Sequence, residues 1–114
     1  FCKLLHFTHG SGGAAPITQG IAKARHRSSY LPDADIVVSG HSHNSWTTNI
    51  RRLGVTSAGN VVEKDILHIQ IPGYKKAGRW EESMDMLPKP TGAYWLRFYF
   101  ISNKEMAIQP IPLY

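Results

Sequence analysis

The segment from Asp33 to Trp46, DADIVVSGHSHNSW, constrains the fold more than any other stretch. Ile36, Val37, Val38 and Ser39 form a short continuous run of apolar or small residues, which reads as a strand covered on both faces. Gly40 ends the run, and His41 and His43 follow, one residue apart. A buried strand that opens onto two imidazoles must deliver them to one edge of a sheet.

A second unit of the same kind lies upstream. CKLLHFTHG is mostly apolar, with Leu4, Leu5 and Phe7, and closes on His9 and Gly10. SGGAAP reads as a loop, and ITQGIAKARHRSSY sets Ile17, Ile21, Ala22 and Ala24 at helical spacing. Pro16 is acceptable in a first helical turn, while Gly20 weakens the helix by about 1 kcal/mol relative to alanine. LPDA breaks it before the buried run. Residues 1–40 thus read strand, loop, helix, strand, a βαβ-like crossover that favours parallel strands. His9, His41 and His43 then converge on the carboxyl rim of a sheet, where α/β proteins place their ligands. Neutral imidazole is the commonest side-chain ligand of transition metals, so the chemistry indicated is a metal site. An H-x-H pair alone is weak evidence; the second strand–His–Gly unit is what strengthens it.

Downstream, WTTNIRRLGV and VVEKDILHIQI are rich in β-branched residues and separated by the turn signal SAGN. GYKKAGRWEESMDMLPKPTG reads as a long loop. AYWLRFYFIS and EMAIQPIPLY follow, joined at NK, so the second half reads as mostly antiparallel. At 114 residues, with 42% hydrophobic, 11% aromatic and 18% charged residues, the chain is at most one folded domain. No apolar run approaches the roughly 18 residues of a membrane span. One cysteine, Cys2, excludes an internal disulfide framework and fits a reducing, cytoplasmic setting. The net charge of +5 suits a phosphate-bearing partner such as nucleic acid, and equally suits a soluble domain with no such partner.

SGHSHN resembles the last ligand motif, G-H-x-H, of the calcineurin-like metallophosphoesterases, and LHFTHGSGG resembles the motif before it, where a strand ends in a metal-binding histidine. The glycines after His9 are most like the short phosphoesterase-type members of phage and bacteria. The likeness covers residues 3–46 well and residues 47–114 only in general. It implies an α/β fold, the later half of a four-layer α-β-β-α sandwich. It implies two divalent ions (manganese, iron or zinc), with His9 and His41 on one and His43 on its neighbour. It also implies hydrolysis of phosphodiesters or phosphomonoesters. Gly10 and Gly40 would let the backbone approach the site, and Ser42 and Asn44 would support it. The family's earlier D-x-H, G-D and G-N-H-[DE] motifs are missing. Asp33 and Asp35 precede a strand and belong at the opposite edge. The expectation is therefore the carboxyl-terminal part of one domain, inactive or nearly so alone, with the remaining ligands upstream.

Two other classes stay open: a non-catalytic scaffold of the same fold, and a nucleic-acid-binding module. Lys75, Lys76, Arg79 and Trp80 form a candidate substrate loop that interleaves cations with an aromatic. The basic cluster KARHR, with His26, reads as a solvated helix face. The aromatics of AYWLRFYF read most simply as core. His6 reads as core or helix-facing. His68, sharing a strand face with Ile66 and Gln70, reads as a hydrogen-bonded histidine on the less buried face.

Overall fold

The computed structural model describes residues 2–10, 21–22, 27, 31, 33–73 and 90–113. The described chain runs β1 (Leu5–Thr8), β2 (Ile36–Ser39), β3 (Trp46–Val55), β4 (Val61–Gln70), β5 (Ala93–Ser102) and β6 (Glu105–Leu113). This overturns the α/β expectation: the described residues are nearly all β, with no helical element among them. The four-layer sandwich goes with it, because its outer layers require amphipathic helices. Of the expected crossover helix only Ile21, Ala22 and Arg27 are described, all three in helical conformation, and the described residues from Trp46 onward form strands β3 to β6 and their turns.

The sheet has the order β1-β2-β4-β3. β1 and β2 pair in parallel, as the crossover reading expects, with Thr8 opposite Ser39. β2 and β4 also pair in parallel, with Ser39 opposite Gln70. β3 and β4 form an antiparallel hairpin from Trp46↔Gln70 to Val55↔Val61. The predicted turn closes it: Thr56 N–H donates to Asn60 C=O at 2.9 Å, and Gly59 takes a φ of +84°. β5 and β6 form a separate antiparallel hairpin.

Two apolar clusters cover the sheet, one on each face. Ala34, Val37 and Ile66 pack with Leu31 on one side. Ile36, Leu67 and Ile69 lie on the other, against Tyr94, Leu96 and Ile108 of the β5–β6 hairpin. That double cover is why IVVS reads as a continuous run, and it leaves the central strands rigid at their carboxyl ends. Only one side of the hairpin serves as core. Trp95 is 65% exposed, and Phe98, Tyr99 and Phe100 are exposed too, so the reading of these aromatics as core holds for Tyr94, which packs beside Leu96, and fails for the other four. His6 is likewise exposed, because β1 is the edge strand.

Candidate metal centre

The in-register parallel ends of β1 and β2 release His9 and Gly40 side by side. Gly40 N–H donates to the His9 carbonyl at 3.2 Å, tying the two segments together. Gly10, the next residue, has a φ of +83°, and a Cβ there would stand 3.2 Å from the Gly40 oxygen. Both the conformation and the close approach call for glycine.

Past Gly40 the chain turns through the left-handed region twice, at His41 (φ 72°) and His43 (φ 59°). Such angles are uncommon for residues with a Cβ, although histidine is enriched among them. They carry a cost of order 1–3 kcal/mol each and cluster at functional sites. The first turn swings His41 onto His9: its Nδ1 lies 3.0 Å from His9 Nε2, with ring centroids 5.0 Å apart and planes at 70°. One nitrogen must donate and the other accept, so this contact holds a single proton. Two nitrogens each about 2.1 Å from one ion stand roughly 3.0 Å apart at a right angle and roughly 3.4 Å apart in a tetrahedron. The His9–His41 spacing fits a shared divalent ion as well as it fits a hydrogen bond.

The second turn takes His43 elsewhere. Its ring stacks over Gly73, where a Cβ would meet the imidazole at 3.1 Å. Among the described residues no group of three His, Cys, Asp or Glu side chains comes together as a metal site. What the described residues bring together is the His9–His41 pair, and a dinuclear centre does not fit them by themselves. Asp35 lies at the far edge as expected, accepting from Leu4 N–H at 2.8 Å and pairing with Lys64 at 3.6 Å. Asn44 donates to Ser42 Oγ at 3.4 Å, bracketing His43, and Ser42 N–H donates to the Gly40 carbonyl. The candidate substrate loop, Lys75, Lys76, Arg79 and Trp80, lies outside the described residues, but its two roots are fixed. Gly92 N–H donates to the Gly73 carbonyl at 3.1 Å, and Gly73 lies against the His43 ring.

Beneath the rim lies a buried polar pair that sequence reading passed over. Ser39 and Gln70 are 2% and 5% exposed; Ser39 Oγ donates to Gln70 Oε1 at 2.9 Å, and Gln70 Nε2 donates to the Gly40 carbonyl at 2.7 Å. The available signal was a serine and a glutamine closing two apolar strands just before the histidine loop. His68, two residues earlier, corrects another expectation. It is 1% exposed, not on a less buried face, and its Nε2 has no hydrogen-bond partner among the described residues. Burial, with a smaller contribution from the Arg27 charge, lowers its pKa from 6.5 to about 4.

No known protein family, characterised protein or solved structure matches this chain.

Proposed function

We propose that this chain contributes to metal-dependent hydrolysis of phosphoester bonds, with His9 and His41 as ligands of one divalent ion of the manganese, iron or zinc class. The observation that carries the reading is the 3.0 Å approach of His9 Nε2 to His41 Nδ1 on the carboxyl rim of two parallel strands. A divalent ion held there would polarise a phosphoryl oxygen and acidify a coordinated water. The chain's own work is positional. Gly10 and Gly40 bring the two strand ends together, and the left-handed turn at His41 aims its ring at His9. His43, beside the roots of the loop bearing Lys75, Lys76, Arg79 and Trp80, stands where a neighbouring ion or a substrate phosphate would be met. The ligands that complete the site, including those of any second ion, lie outside the described residues.

The test is an assay of the protein as its native host produces it, beside residues 1–114 alone, with manganese(II) and bis(p-nitrophenyl) phosphate. The host form should hydrolyse the diester, lose activity to chelator and lose it again in His41→Ala; residues 1–114 alone should show little. A metal-replete host form with no hydrolysis of diester or monoester, or hydrolysis that survives His41→Ala, contradicts the reading.

The hairpin favours a second reading, a nucleic-acid-binding module. Trp95, Arg97 and Tyr99 alternate onto the outer face of β5, and Arg97 lies 5.2 Å above the Tyr99 ring. Exposed aromatics with an interleaved cation suit base stacking. This reading expects affinity for single strands that falls steeply with salt and ignores chelator.

A further inference from the structure

We infer that Gln70 is a positioning residue for the His9–His41 pair, acting through the peptide group of Gly40. The inference rests on the metal-site reading and deepens it by naming what sets the spacing of the two ligands. Gly40 is the pivot between them. Its N–H donates to the carbonyl of His9 and its carbonyl immediately precedes His41. That carbonyl accepts from Ser42 N–H at 3.0 Å and from Gln70 Nε2 at 2.7 Å, so both lone pairs are engaged. The orientation of the Gln70 amide is itself set: the Gly40 carbonyl can only accept and so takes the NH2 group, while the amide oxygen accepts from Ser39 Oγ. Ser39 and Gln70 are register partners across β2 and β4, so the network is anchored in the doubly covered centre of the sheet. A buried amide with both ends satisfied holds its neighbours rigidly, and an unpaired one is costly. Gly40 has little steric restraint of its own, and the left-handed turn at His41 begins directly after it. With the Gln70 donor gone, only the local Ser42 bond still holds the Gly40 carbonyl, the link to the sheet is lost, and His41 can swing off His9.

Gln70→Met keeps the length of the side chain and removes the donor. In the full chain it should weaken cobalt(II) binding, read from the visible spectrum, by about tenfold, the lower end of what outer contacts to metal ligands contribute. In metal-free protein it should abolish the nuclear Overhauser effect between the His9 and His41 rings. Ile69→Val, on the neighbouring residue of the opposite face, should lower the unfolding midpoint while leaving affinity and the ring-to-ring Overhauser effect unchanged. This separates positioning from general destabilisation. Should Gln70→Met fail to fold, Ser39→Ala carries the same expectation, because the amide oxygen then loses the bond that anchors the side chain under Gly40, and Ser39→Thr should restore both readouts. If wild type binds no cobalt(II), yet Gln70→Met still abolishes its ring-to-ring Overhauser effect, the metal reading falls and the positioning role stands. An unchanged Overhauser effect and unchanged affinity in Gln70→Met, or in Ser39→Ala where that variant is used, overturn the inference.

Discussion

The two ends of the parallel strands β1 and β2 solve opposite problems. At the amino edge three cations and three carboxylates pair with one another. Arg51 reaches Asp65 at 2.9 Å and Glu63 at 3.1 Å, while Lys3 and Lys64 both approach Asp35. These groups border an open cleft of about 500 Å³ that also includes Cys2, Lys104 and Glu105. The Arg51 hydrogen bond holds the Asp65 carboxyl below its ordinary pKa, and the same bond raises that of Arg51. At the carboxyl edge no carboxylate joins the imidazoles among the described residues, the backbone is left-handed at two histidines, and two ring nitrogens face one another across 3.0 Å. The amino edge is already neutralised by its own ion pairs, so it offers an incoming ion little. The carboxyl edge sets two imidazole nitrogens 3.0 Å apart on a loop held from beneath by Gln70.

The contrast can be broken most forcefully at the histidines. His9→Ala and His41→Ala should each abolish specific binding of a first zinc(II) equivalent in calorimetric titration, while His43→Ala retains it. Retention in either of the first two removes the contrast altogether.

Acid should come next in size, acting between the two edges at His68. Its imidazole titrates near 4 when folded and near 6.5 when unfolded, so below pH 6.5 the unfolded chain binds the proton first. Stability should be full above pH 6.5 and fall as the pH drops toward 4, by about 3 kcal/mol in all. Urea midpoints across that range measure it, and His68→Leu should flatten the profile. An unchanged slope in His68→Leu would mean that other groups drive the acid transition.

Gly10→Ala sharpens the same comparison on the carboxyl side. An alanine there must take a positive φ and press on the Gly40 carbonyl, which should cost about 1–3 kcal/mol and weaken metal binding at the same time. Denaturant melts paired with metal titration would show whether the two losses travel together. The smallest effect belongs to the amino edge. Arg51→Ala should leave the melting midpoint within error of wild type at ordinary salt, because exposed ion pairs are screened by water and ions. A clear loss there would mean that the edge charges do more than neutralise one another.

The meeting of His9 and His41 was more legible in the sequence than the fold class. The buried run Ile36–Ser39 and its glycine announced a central strand, and the upstream His9–Gly10 announced a second strand ending at the same edge; the parallel register brings His9 and His41 together. His43 was harder to foresee. Its direction depends on a second left-handed residue and on Gly73, thirty positions away, leaving room for its ring. Ser39 and Gln70 were passed over because polar residues closing strands look like solvent-facing ends until the chain above them is in place. Alternation in AYWLRFYF gave the strand correctly, yet period two does not say which layers cover each face; Tyr94 and Leu96 met a sheet, and Trp95 met none. The helical periodicity near Ile17–Ala24 led to a fold class that the described residues do not support, because four of the six described strands, and all of the long ones, lie from Trp46 onward.

The most direct test of the central claim, that His9 and His41 share one cation, is the imidazole ¹⁵N spectrum of the full chain while zinc(II) is added. His9 Nε2 and His41 Nδ1 should move together and be complete at the first equivalent, with His43 unmoved until then. Movement of only one of the two, or of His41 together with His43 while His9 stays still, would contradict it.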